Sequence, residues 1–188
     1  MKTTFTSALI AAFAGLFLLN SMSTYGQDSE FTPTNDNSTL TMAFYKTDTV
    51  LVVAPDACTL TETDKKDIEN YVFWVKSENK PVYTYKSESE VTAKDCKKHI
   101  LLYGSYNCFQ RKEFLRIPIK KLTNGFQFRN RIFDQDTDAF FYINGRATRM
   151  YVCKNSGKTQ HELFSIGVSG YPLHIFRGND IVITGVYL

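Results

Sequence analysis

The stretch TVLVV, residues Thr49 to Val53, is a short run of apolar and mostly β-branched residues that ends at Ala54-Pro55-Asp56. Such a continuous run is typical of a strand that is buried on both faces of a parallel sheet. A helix is expected after it, because Thr61 is placed to cap a helix and apolar residues then recur at helical spacing as far as Asn79. Lys80-Pro81 ends this predicted helix.

Two further strands and a short helix follow in the sequence. The predicted strands are Val82 to Tyr85 and His99 to Tyr103, and the predicted helix between them is Val91 to Lys97. The alternation of strand and helix favours parallel strands joined by right-handed crossover helices. The predicted fold class is therefore α/β. It is a central, mostly parallel sheet with flanking helices, a three-layer arrangement of the flavodoxin-like type, with an antiparallel hairpin insertion.

The hairpin insertion is predicted from the middle of the chain. Arg116 to Leu122 and Phe126 to Phe133 flank Asn124-Gly125, which is a strong signal for a tight turn between antiparallel strands. We expect this hairpin to decorate the main sheet. The remaining predicted elements are strands Ala139 to Ile143 and Thr148 to Cys153 around Asn144-Gly145, a helix Thr159 to Ile166, and strands Leu173 to Phe176 and Ile181 to Tyr187.

The first 26 residues have the pattern of a secretory signal peptide. Lys2 precedes an uncharged apolar run from Ala8 to Leu19, and small and polar residues follow from Ser21 to Gly26. The apolar run is shorter than the roughly 20 residues that a membrane-spanning helix needs. We therefore expect cleavage before Gln27, a periplasmic or extracellular location, and no membrane span in the mature chain. The predicted segments are a signal peptide at 1–26, a disordered leader at 27–41 and a single α/β domain at 42–188.

Composition narrows the class of protein. With 22 basic and 19 acidic residues the net charge is +3, so the chain is not a strongly basic nucleic-acid binder. Hydrophobic residues at 43% and charged residues at 22% exclude a wholly disordered or collagen-like chain. The aromatic fraction of 14% is high, and it fits either a well-filled core or a stacking surface.

The order of the predicted elements resembles a known type of domain. The segments that carry the likeness are TVLVVAP, PVYTYK, HILLYGSYN, FFYING, RMYVCKNSGKT and DIVITGVYL, which lie between Thr49 and Leu188. In their order and their strand endings they are similar to the small α/β domain attached to some secreted bacterial esterases and peptidases. The resemblance implies an accessory domain of flavodoxin-like fold. It carries over no catalytic residue, because the hydrolase body has no counterpart in this chain.

A ligand is expected at the carboxyl edge of the predicted sheet. Open α/β sheets bind ligands outside the carboxyl ends of their strands, where loops diverge and helix amino termini present free amides. In this chain the edge comprises Pro55 to Thr61, Gly104 to Cys108 and Asn155 to Thr159. The residues predicted to bind a polar or anionic group there are Ser105, Asn107, Ser156, Lys158 and Thr159.

Two motifs at or near this edge are incomplete. Gly157-Lys158-Thr159 matches the end of a phosphate-binding loop, but the first glycine of that loop is replaced by Val152. Asp134, Asp136 and Asp138 alternate as calcium ligands do, but the glycine and glutamate of a calcium-binding loop are absent. The acidic loop is therefore either a calcium site or a solvated turn, and the sequence leaves both interpretations open.

The four cysteines are Cys58, Cys96, Cys108 and Cys153, and in an exported protein pairing is expected. If the first and third strands are neighbours, Cys58 and Cys108 follow adjacent strands and form the best disulfide pair. Two other interpretations use the same residues. In the first, Cys58, Cys108, Cys153 and His161 are candidate metal ligands. In the second, Cys108 is a candidate nucleophile and His161 its base. No pair of these residues has the sequence spacing of a specific site.

These observations favour a secreted, non-catalytic binding or accessory module. Its expected partner is a protein, a glycan or a small anionic ligand, and no catalytic residue, cofactor or metal site is assigned. The alternative is a small secreted hydrolase with its site at the carboxyl edge. A hydrolase would show a polar pair in hydrogen-bond contact in a pocket at the strand ends.

We predict that the mature protein begins at or near Gln27, because the apolar run and its flanks have the lengths of a cleaved signal peptide. Amino-terminal sequencing of protein recovered from the native host measures this directly. Recovery of a chain that retains Met1 or Lys2 would contradict the prediction of export.

Overall fold

The computed structural model describes residues 43–71, 81–155 and 172–185. The predicted signal peptide at 1–26, the leader at 27–41 and the helix Thr159 to Ile166 lie outside these residues. Within the described part of the chain, no helix has the length and apolar character needed to cross a membrane.

The described residues form ten strands, one ten-residue helix and three single turns of 3₁₀ helix, and residues 43–45 are also helical. The strands are β1 (Thr49–Ala54), β2 (Val82–Ser87), β3 (His99–Ser105), β4 (Ile119–Lys121), β5 (Phe126–Phe128), β6 (Arg131–Phe133), β7 (Asp138–Ile143), β8 (Arg149–Lys154), β9 (Leu173–Arg177) and β10 (Asp180–Gly185). The helix is α1 (Glu62–Tyr71), and the 3₁₀ turns are Glu88–Glu90, Asp95–Lys97 and Tyr106–Cys108.

Seven strands form a mixed sheet in the order β10-β9-β7-β8-β3-β1-β2. Strands β2, β1, β3 and β8 are parallel, with Val52 opposite Tyr85 on one side and opposite Leu101 on the other. Strands β7, β9 and β10 complete the sheet through antiparallel pairs. The strands β4, β5 and β6 form a separate antiparallel sheet.

The two faces of the large sheet bury two different cores. Because side chains alternate along a strand, Val50 and Val52 belong to one core and Leu51 and Val53 to the other. The first core is covered by α1 through Ile68 and by the helical residues 43–45. The second core is covered by the three-stranded sheet, whose buried residues there are Ile119, Phe126, Phe128 and Phe133.

The predicted helix-flanked, flavodoxin-like fold is therefore wrong. The strands around β1 do have helical connections, but among the described residues the second face of the sheet is packed against an antiparallel sheet. The segment predicted as a helix from Val91 to Lys97 contains only the 3₁₀ turn Asp95–Lys97. The Asp95 carboxylate accepts hydrogen bonds from the backbone amide and the hydroxyl of Thr92, which begins the turn, but the backbone is already extended at Lys98 and enters β3 at His99, so the turn is not followed by a longer helix.

The predicted antiparallel turns are confirmed, with one change. Strands β4 and β5 flank Asn124-Gly125, and β7 and β8 flank Asn144-Gly145. The strand predicted from Phe126 to Phe133 is instead a second hairpin, because Arg129 has a left-handed backbone with φ 52° and reverses the chain. Stacking of Phe126 on Phe133, with ring centroids 5.1 Å apart, holds this hairpin closed.

The connection from β2 to β3 is held by a buried carboxylate. Asp95 is 4% exposed and binds the ammonium groups of Lys86 at 2.7 Å and Lys98 at 2.8 Å. These contacts, Lys86 foremost, and the bonds from Thr92 hold the pKa of Asp95 well below its usual range. The charge of this carboxylate therefore favours the folded state.

We predict that Asp95 contributes to the loss of stability at acid pH. Its pKa is lower in the folded than in the unfolded chain, so its contribution is present above the unfolded value of about 3.9 and is lost as pH falls through the folded value. Urea unfolding from neutral pH to below about pH 3 should show a shallower decline for Asp95→Asn than for the wild type. The matched control is Asp180→Asn, an exposed aspartate that should leave the slope unchanged. Equal slopes for wild type and Asp95→Asn would contradict the assignment.

Candidate functional site

The carboxyl ends of the four parallel strands meet at one edge of the large sheet. Strand β1 ends at Ala54, β2 at Ser87, β3 at Ser105 and β8 at Lys154. The loops that leave these ends form two clefts, one beyond β3 and β8 and one beyond β1 and β2. This edge is the candidate functional site.

The cleft beyond β3 and β8 is polar and has a volume of about 290 Å³. We call it the Asn–Asp cleft, because two carboxylates and three carboxamides from the described part of the chain line it. The lining residues are Asn107, Asn124, Gly125, Asp134, Asp136 and Asn155. Of these, the two aspartates lie in an exposed loop between β6 and β7, which leaves the cleft open to solvent.

The wall of the Asn–Asp cleft is built by close backbone packing at Gly125. This residue has φ +99°, which strongly favours glycine, and a Cβ atom there would lie only 2.1 Å from the carbonyl oxygen of Phe133. The turn between β4 and β5 therefore lies directly against the end of β6. This contact places Asn124 and Asp134 on the same cleft.

Asn155, which follows β8, joins the large sheet to the acidic loop. Its backbone amide donates to the carbonyl of Asp138 at 3.0 Å, and its side-chain Nδ2 donates to the carbonyls of Phe133 at 3.1 Å and Gln135 at 2.7 Å. Both amide protons are thus used, which fixes the orientation of the carboxamide. The remaining oxygen, Oδ1, is buried and accepts no hydrogen bond from the described residues.

Asp138 lies apart from the other two aspartates of the acidic loop. It is fully buried, and its carboxylate binds the guanidinium of Arg177 through Nε at 2.8 Å and Nη2 at 3.0 Å. It also accepts a hydrogen bond from the amide of Gln135 at 3.0 Å. Asp138 therefore shapes the loop, whereas Asp134 and Asp136 line the cleft. The alternation Asp134, Asp136, Asp138 does not act as one set of three ligands.

The second cleft, beyond β1 and β2, has a volume of about 250 Å³. Its charged groups are already engaged, since Asp56 accepts a hydrogen bond from the amide of Ser89 at 2.9 Å and Glu90 from that of Ser87 at 2.8 Å. These bonds hold the pKa values of Asp56 and Glu90 below their usual ranges. The two carboxylates cap a turn, and nothing marks them as ligands.

The predicted site residues are only partly brought together. Ser105 is half-buried at the end of β3, and Asn107 lines the Asn–Asp cleft while its Nδ2 donates to the carbonyl of Thr123 at 3.2 Å. Ser156, Lys158 and Thr159 lie outside the described residues. Sequence reasoning did not assign Asn124, Asp134, Asp136 or Asn155 to one site, although the Asn-Gly turn and the alternating aspartates were visible signals.

Within the described residues the cysteines and histidines do not form a group that could hold a metal ion. Cys153 is buried in the second core, where burial raises the pKa of its thiol, and Cys96 lies before β3. His99 begins β3 at the opposite edge of the sheet, and His174 is buried in β9. His161, the proposed partner of Cys108, lies outside the described residues.

Comparison with known protein families, characterised proteins and solved structures gave no match to this chain. The resemblance to accessory domains of secreted hydrolases therefore stays a prediction. Its flavodoxin-like fold is wrong for the reasons given above, and the function is argued from the geometry of the site alone.

We predict that Cys58 and Cys108 form a disulfide in the oxidised protein. Strands β1 and β3 are adjacent, both cysteines are free thiols in the structure, and the nearby Cys58 thiol contributes to the raised pKa of Cys108. A non-reducing peptide map should link these two cysteines. Closing a loop of about 50 residues stabilises a protein by about 4 kcal/mol in the chain-entropy model, so Cys58→Ser and Cys108→Ser should each destabilise the oxidised protein. Cys96→Ser is the control. Alkylation of both thiols in oxidised protein would contradict the pairing.

Proposed function

We propose that this chain is an exported, non-catalytic binding module that holds a hydroxyl-rich ligand, such as a glycan, in the Asn–Asp cleft. The observation that carries the proposal is the buried Oδ1 of Asn155, which accepts no hydrogen bond from the described residues and belongs to a cleft lined with polar side chains. A buried acceptor without a partner costs about 1–3 kcal/mol. A ligand that supplies a donor removes this cost on binding.

The chemistry of the lining favours hydroxyl groups over an anion. Carboxamides offer both donors and acceptors, and carboxylates offer acceptors, so vicinal hydroxyls can be paired on both sides. Among the described lining residues there are two carboxylates and no cationic side chain. This charge repels the small anionic ligand that Lys158 was expected to bind, and it favours a neutral ligand.

Binding is better supported than hydrolysis. A cysteine nucleophile needs a lowered pKa, yet burial raises the pKa of Cys108 and the neighbouring Cys58 thiol raises it further. A carboxyl general acid needs a raised pKa, whereas hydrogen bonds lower the pKa values of Asp56 and Glu90 in the neighbouring cleft. Neither of the two described histidines lies at the carboxyl edge.

We expect binding of neutral oligosaccharides, with inorganic phosphate as the anionic comparison. Immobilised glycans should retain the protein and phosphate should not compete, because the cleft lining carries negative charge. Titration followed by NMR should shift the side-chain amide signals of Asn107, Asn124 and Asn155. Loss of one hydrogen bond is worth about 1 kcal/mol, so Asn124→Ala should weaken binding about fivefold.

Asn130→Ala is the matched control, since Asn130 is also an exposed asparagine in a turn but lies at the tip of the β5–β6 hairpin. It should bind like the wild type. Shifts confined to Arg129 and Arg131 on that hairpin would contradict the location of the site. Turnover of esterase, peptidase or glycosidase substrates that Cys108→Ala abolishes would contradict the non-catalytic assignment.

A further inference from the structure

The positive charge of the chain is concentrated in one segment. Residues 109–133, which lead into the small three-stranded sheet and form it, contain seven basic residues and one acidic residue, a net charge of +6. The rest of the chain contains 15 basic and 18 acidic residues, a net charge of −3. The overall charge of +3 therefore conceals a basic segment, and such an asymmetry indicates an anionic partner.

The outer face of the small sheet carries a cation beside an exposed apolar side chain. Ile119 and Phe133 are buried in the second core, so the residues that alternate with them point away from it. Those residues include Lys120 and Ile132, which both lie opposite Gln127 across the three strands. Lys120 is exposed, and Ile132 is 56% exposed. A lysine and an isoleucine therefore share the face that points to solvent.

Two further exposed cations border this face. Arg131 begins β6 next to Ile132, and Arg116 precedes Lys120 by four residues, so the Cα atoms of Arg116 and Lys120 lie at most about 14 Å apart. Within the described part of the chain, none of the three cations makes an ion pair. Their charges are therefore available to a partner. We call Arg116, Lys120, Arg131 and Ile132 the basic patch.

The make-up of the basic patch distinguishes between classes of anionic partner. Protein interfaces are depleted in lysine and enriched in aromatic residues, and single-stranded nucleic acid stacks its bases on exposed aromatic rings. The aromatic rings of the small sheet, Phe126, Phe128 and Phe133, are instead buried in the second core. A soluble acidic polymer would pair with the cations alone. An anionic lipid surface pairs with the cations and also takes up an apolar side chain such as Ile132.

We propose that the basic patch docks on the surface of a membrane that contains anionic lipids. Ile132 enters the apolar part of the interface, and Arg116, Lys120 and Arg131 contact the phosphate groups. Docking through this patch is independent of the glycan site, because none of the patch residues lines the Asn–Asp cleft.

The test is co-sedimentation of the full chain with vesicles of phosphatidylcholine alone and of phosphatidylcholine mixed with phosphatidylglycerol. We expect stronger binding to the mixed vesicles, and we expect it to weaken as salt rises from about 0.1 M to about 1 M, because salt screens exposed charges. One cation near an anionic surface strengthens binding about fivefold, so Lys120→Gln and Arg131→Gln should each weaken it about fivefold. Lys66→Gln is the matched control, since Lys66 is an exposed lysine on α1, which covers the opposite face of the large sheet. It should bind like the wild type.

A second substitution tests the apolar contact. Ile132→Ser should weaken binding to the mixed vesicles about tenfold, because it removes the side chain that enters the interface. Val82→Ser is its matched control, since Val82 is 63% exposed on β2 at the edge of the large sheet. All variants keep the apolar run from Ala8 to Leu19, so its affinity for lipid is the same in a variant and its control. Circular dichroism verifies that each variant is folded.

Equal binding to the two kinds of vesicle, or equal affinity in Lys120→Gln and Lys66→Gln, would overturn the docking surface. Dextran sulfate is the soluble comparison. If Lys120→Gln weakens binding to dextran sulfate and to the mixed vesicles while Ile132→Ser binds vesicles like Val82→Ser, the patch binds soluble polyanions and membrane docking is overturned.

Discussion

The parallel pairing of β3 with β8 is the interaction on which the rest of the structure depends. Six residue pairs, from Ile100 opposite Arg149 to Ser105 opposite Lys154, join two strands that are about fifty residues apart in the chain. At the amino edge the guanidinium of Arg149 donates to the carbonyls of Lys98 and Cys96, which ties the two strand starts together. Because the strands run in the same direction, their carboxyl ends must lie at the same edge. The cleft exists at that edge for this reason.

The chain between β3 and β7 leaves the large sheet and returns to it, and this segment covers the second face. Phe140 is the point of contact, with its ring 5.0 Å from that of Tyr106 and 4.9 Å from that of Phe126, both in edge-to-face geometry. The hydroxyl of Tyr106 donates to the carbonyl of Ile119 at 2.9 Å, so the small sheet is fixed by a polar bond as well as by apolar packing. The high aromatic content of the sequence is therefore accounted for largely by the core, since Phe and Tyr side chains are its largest buried groups.

Short sequence patterns predicted individual strands and turns well, but they did not predict which elements pack against each face of the large sheet. The run from Thr49 became β1, and both Asn-Gly pairs became turns, because these depend on residues within a few positions of one another. The 3₁₀ turn at Asp95 was missed, since its carboxylate is held by Lys86 from another strand as well as by neighbours. Similarly, the buried carboxylate of Glu88 accepts hydrogen bonds from the amides of Gln110 and Arg111, more than twenty residues away. Which layer covers the second face is decided by such distant contacts, and no short pattern contains them.

The candidate site was also predicted only in part, because its residues are joined by contacts between distant segments. The order of the elements predicted the carboxyl edge of the sheet and the position of Asn107 there. It did not predict that Asp134 and Asp136 lie at the same edge, because their position depends on the carboxamide of Asn155. Aspartate at this position would lose both donors to the loop carbonyls. Leucine would lose the acceptor as well. Only a carboxamide can donate two hydrogen bonds to the acidic loop through its nitrogen and keep a buried oxygen that accepts none from the described residues. The bonds that build the cleft thus also preorganise its acceptor, so a ligand does not have to order this group when it binds.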